Sequence, residues 1–179
     1  MNNRRNDCLV ITLALIGLIS VSASGQQQKP DNGMTPQQMD EMNQRGDQHM
    51  GFDHLKTTHH FLLASDGGSI RIEANDAKDT DSRDQIRGHM RHIRMMFSEG
   101  NFEVPMLIHQ KTPPGSEVMQ KLKAEISYQF KETERGAVIQ ISSSNREAIQ
   151  AIHDFLRFQI KEHMTGDPLE VRPATASRH

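Results

Sequence analysis

Apolar residues recur along the chain with two periods. Near the C-terminal end, Ile149, Ile152, Leu156 and Ile160 fall on one stripe at helical spacing, and His153 and His163 lie on that same stripe. Ser144 with Glu147 reads as a capping box and Gly166-Asp167-Pro168 as a stop, so the pattern predicts a helix from Arg146 to about Met164. A second stripe, Ile86, Met90, Ile93 and Phe97, predicts a helix from Arg83 to about Ser98, with Ser82 and Gln85 as its capping box and Glu99-Gly100 as its end. The other period is two. Thr57 to Ala64 reads as a strand, Ser65-Asp66-Gly67-Gly68 as a hairpin turn, and Ser69 to Ala74 as a strand with Ile70, Ile72 and Ala74 facing in. The alternation returns in Ile126 to Phe130, turns at Glu134-Arg135-Gly136, and runs back from Ala137 to Ser142 with Ile139 and Ile141 on one face. Between the two sets, Phe102 to His109 reads as extended, Thr112-Pro113-Pro114-Gly115 breaks the chain, and Ser116 to Lys123 has room for one or two helical turns.

The order strand, strand, helix thus occurs twice. Arg83-Asp84-Gln85-Ile86 matches Arg146-Glu147-Ala148-Ile149; in that register Met90 falls on His153, Ile93 on Leu156, Arg94 on Arg157 and Phe97 on Ile160. Chance likeness of two amphipathic helices is the competing explanation. The repeat predicts an α+β fold: a two-layer sandwich of two ββα repeats, with a four-stranded antiparallel sheet and both helices on one face. A pseudo-twofold axis would follow, with the outer sheet face or the seam between halves open to a partner.

The rest of the chain is organised around that domain, placed at 51–168. Residues 1–24 carry a basic Asn2-Asn3-Arg4-Arg5, a short apolar run from Leu9 to Ile19 and a small-residue Ser22-Ala23-Ser24, the layout of a signal peptide, which predicts a periplasmic or secreted protein. The apolar run is short for a transmembrane span, and an uncleaved anchor is the only membrane contact suggested. Residues 25–50 read as a flexible Gln/Met-rich linker in which Thr35-Pro36-Gln37-Gln38 caps a short helix through about Arg45, and 169–179 as a disordered tail.

Composition narrows the chemistry. At 179 residues with 21 Lys+Arg against 23 Asp+Glu, 4% aromatics and no Trp, the chain has room for one modest core and neither a basic field nor a stacking platform for nucleic acid. Its single cysteine, Cys8, precedes the apolar run, so the processed protein would have no thiolate. The soft and borderline ligands left are the 10 His and 11 Met. Met34, Met39, Met42, His49 and Met50 form a Met/His arm that could hold Cu(I) or simply pack as an amphipathic helix.

Five histidines are candidate metal ligands: His59, His60, His89, His92 and His153. His59 alternates with Phe61 and Leu63 and so faces the helices, with His60 facing away. His89 and His92 share one side of a helix, and His92 at that angle also suits a plain solvated face. His153 faces the sheet, where a histidine commonly satisfies both nitrogens by hydrogen bonds. If His59, His89 and His153 converge at the helix–sheet layer, three neutral imidazoles suit copper, zinc, nickel or haem iron. Catalytic signatures are thin: Ser142-Ser143-Ser144 lacks nucleophile-elbow glycines, Asp66-Gly67-Gly68-Ser69 is a turn rather than a phosphate loop, and neither His153-Asp154 nor Asp53-His54 forms an acid–base pair by spacing.

The runs Met50-Gly51-Phe52-Asp53-His54, Lys56-Thr57-Thr58-His59-His60-Phe61, Thr112-Pro113-Pro114-Gly115 and Ile152-His153-Asp154-Phe155-Leu156-Arg157-Phe158-Gln159-Ile160 resemble a family of small exported bacterial proteins over most of Gly51 to Pro168. Some members carry the label aspartate carbamoyltransferase. The Ser-Thr-Arg-Thr and His-Pro-x-Gln motifs of true carbamoyltransferases are absent here, and the chain is too short for their two domains. The resemblance implies export and the domain limits, and no catalytic residue. Two readings follow: an exported binding module for a transition metal or haem, and a metal-free interaction domain docking a protein on its sheet face or Met-rich arm.

Overall fold

The computed structural model describes residues 33–174; the segments read as signal peptide, the first part of the linker and the last part of the tail lie outside them. Four strands, β1 (Thr57–Ala64), β2 (Gly67–Ala74), β3 (Ile126–Glu132) and β4 (Gly136–Ser143), form one antiparallel sheet in the order β1-β2-β4-β3. Among the described residues five α-helices accompany it: α1 (Pro36–Met50), α2 (Thr80–Ser98), α3 (Glu103–His109), α4 (Ser116–Lys121) and α5 (Arg146–Glu162). The α+β sandwich of two ββα units is the observed fold.

The repeat runs deeper than the helices. A shift of 69 residues carries Thr57 onto Ile126, Gly67 onto Gly136, and the 3₁₀ turn His54–Lys56 onto the 3₁₀ turn Lys123–Glu125. The β2–β4 register places Ile70 opposite Ile139, which that shift also relates, so the pair sits on the pseudo-twofold axis. Gly67 and Gly136 are related too, and each lies against the other half's backbone. A Cβ would stand 2.2 Å from the Ile141 carbonyl oxygen at Gly67 and 2.1 Å from the Ile72 carbonyl oxygen at Gly136, so only glycine lets the two halves close.

The helices cross the seam. α2 lies mainly over β3 and β4, and α5 over β1 and β2, so each helix covers the strands of the other half. Between the layers Ile86, Met90, Phe97, Ile139, Ile141, Ile152, Phe155 and Leu156 are almost fully buried. Edge-on packing of Phe155 against Phe97 (5.6 Å, 88°) closes the centre of this core.

Several local expectations change. α5 is capped by Asn145, whose side chain accepts from the N–H groups of Glu147 and Ala148, not by Ser144. α2 is capped by Asp79, which takes both the N–H and the hydroxyl of Ser82, and the helix starts at Thr80. At α5 the Asn145 amide takes the free N–H groups in place of the Ser144 hydroxyl; at α2 the Asp79 carboxylate starts the helix one turn earlier, so Ser82 lies inside the first turn and donates to it. The stretch read as extended is helix α3: Pro105 lies in its first turn, where no N–H is needed, and buried Phe102 stacks on Phe97 at 4.6 Å. α1 runs on to Met50 rather than stopping near Arg45, with the Thr35/Gln38 capping box formed and Met42, Gly46 and Met50 buried, so residues 36–50 belong to the domain. Residues 169–174 are not loose. Arg172 bridges to β1, donating its N–H to the Leu63 carbonyl and accepting from Ser65, and so shields that sheet edge.

Candidate functional site

α1, the start of β1 and the end of α5 meet around a groove of about 360 Å³. Each element brings its side chains there for a local reason. Met39, Met42 and Met50 point in because α1 is amphipathic and Arg45, on the same helix, ties it down by donating to the Ile108 carbonyl at 2.9 Å. His59 is on the inner face of β1, since the strand alternates. His163 caps α5. Beyond it Met164 adopts φ +48° and Gly166 φ +74°, which turns the chain so that the Asp167 carboxylate accepts the Phe61 N–H and faces His60 Nδ1, both at 2.9 Å.

His59 and His163 form the floor. Their rings stack with centroids 5.3 Å apart and planes within 9°. His163 in turn stands edge-on to His109 (5.0 Å, 87°), and Phe52 packs between His59 and His89, with centroids 6.0 and 5.5 Å away. Below the stack lies a second, smaller cavity of about 60 Å³, walled by His59, His89, His109, His163 and Gln159 among apolar side chains. That volume has room for an ion with a few waters and not for a porphyrin.

All four rings are held neutral. Burial pushes His59 and His89 down to about 4, with the neighbouring imidazoles adding to the effect, and holds His163 well below the ordinary histidine value. As whole residues His59 and His163 are only half-buried, because their outer edges wall the groove, yet His59 Nε2 is sealed off and has no hydrogen-bond partner among the described residues. His109 is also lowered by burial, against the pull of Glu162, whose carboxylate lies 3.6 Å from Nδ1, too far for a hydrogen bond. Its Nε2 meets Gln159 Oε1 at 3.2 Å, leaving the Gln159 amide nitrogen unpartnered.

At the groove's mouth stands His54. Its backbone N–H and ring Nδ1 both meet the Asp47 carboxylate, at 2.8 and 2.9 Å, which fixes the ring with Nε2 turned away from that carboxylate. Asp53, which caps the 3₁₀ turn, completes a group of three whose ligand atoms lie within 4.8 Å of one another and could hold a metal ion. It is the only such group of His, Cys, Asp or Glu side chains among the described residues.

The sequence-predicted ligands are therefore divided. His59 and His89 share the inner cavity, separated by Phe52. His153 does not join them. Its Nε2 bonds the Ala64 carbonyl at 2.8 Å, five residues further along β1 than His59, which at strand rise is roughly 16 Å away. His60 faces out and pairs with Asp167, and His92 is exposed on α2. The convergence of His59, His89 and His153 fails because the apolar stripe of α5 runs the full length of the sheet. Sharing a stripe fixes the face of a helix, not the position along it. The groove's other members were reachable in part: His163 is visibly on the α5 stripe, and the Met/His arm is α1. His109 was hidden in a segment read as extended, and the Asp47–His54 pair spans a helix end.

Comparison with protein-family models, with curated proteins and with solved structures gave no match. Among the described residues no helix is long and apolar enough to cross a membrane.

Proposed function

We propose that this chain is an exported binding domain that holds one soft transition-metal ion, Cu(I) in the first place, in the groove between α1, β1 and the end of α5. One observation carries the reading: seven of the groove's lining residues are methionine or histidine (Met39, Met42, Met50, Met164, His54, His59, His163) and none is charged. Thioether and neutral imidazole donors without carboxylate or thiolate select Cu(I) over harder ions. The two stacked rings point their in-plane lone pairs along separate planes, so an ion takes a nitrogen from one of them unless a ring turns. Methionine, with three rotatable bonds, supplies the remaining donors by moving to the ion. The Asp47–His54 pair orients Nε2 as carboxylate-held metal histidines are oriented. The signal-peptide layout and the family resemblance support export.

The test is anaerobic Cu(I) titration of the processed protein against a chromogenic chelator, alongside zinc titration. Near-isosteric Met39→Leu, Met42→Leu and Met164→Leu together should remove Cu(I) binding while leaving the fold intact. Zinc bound in preference to Cu(I), and lost with Asp53→Asn, would move the site to the Asp47–Asp53–His54 group. Neither ion bound would leave the domain without a metal role.

A further inference from the structure

The two edges of the sheet are finished differently. Along β1 the chain lays its own segment: Asp167 takes the Phe61 N–H, and Arg172 bonds Leu63 and Ser65 through its backbone. Arg157, on α5, clasps that segment from above by donating to the Leu169 carbonyl at 3.3 Å. The 69-residue shift puts Tyr128, Phe130 and Glu132 of β3 in the places of His59, Phe61 and Leu63, so their N–H and C=O groups face away from β4. No described segment lies alongside them; β3 ends the sheet. Arg94, which matches Arg157 in the helix repeat, reaches the bare strand and donates to the Tyr128 carbonyl at 3.3 Å.

From this asymmetry we infer that the β3 edge receives an extended acidic segment of a partner protein as a fifth strand. A groove of about 600 Å³ flanks the edge, and its charged side chains are Arg91, Arg94 and Lys131, all cations. Arg91 is spent on Glu132 and on the face of Phe130, but Arg94 and Lys131 have no carboxylate partner among the described residues. Met95, 47% exposed, and the half-buried Phe130 give an apolar strip beside them. Backbone ladder bonds supply affinity in such strand addition, and side chains supply the choice of partner. A second copy is the poorer occupant: antiparallel β3–β3 pairing would bring the same cations face to face.

The probe is a synthetic peptide copying residues 167–174 with Arg172→Glu, with a control peptide whose carboxylates are amides. Added to the whole processed protein, the acidic peptide should slow hydrogen exchange at the Phe130 and Glu132 amides. The control should bind at least tenfold more weakly, as should the acidic peptide to the Arg94→Glu/Lys131→Glu double variant, whose fold is checked by circular dichroism. The affinity should also fall as salt rises. Protection confined to the β1 edge, equal binding of the amide control, or no protection at all would overturn the inference. So would a peptide-independent dimer in light scattering that itself protects β3.

Discussion

The two ββα halves share a frame and differ in what they do with it. In the C-terminal half the inner face of β3 carries Tyr128 where β1 carries His59, and among the described residues no counterpart of α1 stands beside it. The Tyr128 hydroxyl is buried without a partner among the described residues, and burial raises its pKa, so it stays a neutral phenol. In the N-terminal half the same position opens on a groove, because α1 packs beside β1 and α5 ends there with His163. The elements outside the repeat, α1, α3 and the last turn of α5, wall a groove at the His59 position. The repeat fixes the frame, and the unrepeated pieces decide where a groove opens in it.

The largest expected effect bears on the seam the halves share. Gly67→Ala and Gly136→Ala should each cost about 3 kcal/mol or more in urea unfolding, because the added methyl meets backbone that cannot turn aside. A neutral result for one alone would show that the halves are not pressed together symmetrically. Next, Ile70→Ala and Ile139→Ala, which delete the two side chains on the axis, should each cost about 2–4 kcal/mol, with Ile139, the more deeply buried, at the upper end. A third measurement separates the halves by pH. His59, His89, His109 and His163 have lowered folded-state pKa values, so the unfolded chain binds more protons and stability should fall as pH drops from about 6.5 towards about 4. His59→Phe should flatten that slope; a slope unchanged would place the proton uptake elsewhere. The smallest effect belongs to the covered edge. Asp167→Ala should cost about 1 kcal/mol and speed exchange of the Phe61 amide, while the β3 edge is unaffected.

Much of this architecture was legible in the residues. The two periods of apolar spacing identify the strands and long helices, because burial on one face imposes those periods directly. The glycines mark where the hairpins lie, although the turns themselves are Ser65-Asp66 and Glu134-Arg135, and Gly67, Gly68 and Gly136 are already strand residues; the helix match reveals the duplication. The caps differ from the pattern because Asn145 takes the Glu147 N–H that a Ser144 cap would need, and because α2 begins one turn earlier at Asp79, which makes Ser82 a donor within the first turn. α3 is too short to declare itself: seven residues with a proline make only about two turns, too few for a stripe to stand out. The site was legible only as a residue inventory. That His59 and His163 touch while His153 stands apart depends on where along the sheet α5 ends, a tertiary fact set by the turn at Met164 and by the Asp167 anchor.

One feature of the packing bears on how the molecule is made. Because α2 rests on strands that come later in the chain and α5 on strands that came earlier, no N-terminal portion can complete its own interior. A nascent polypeptide therefore keeps its apolar faces open until the stretch through Ile160 arrives, and then closes cooperatively.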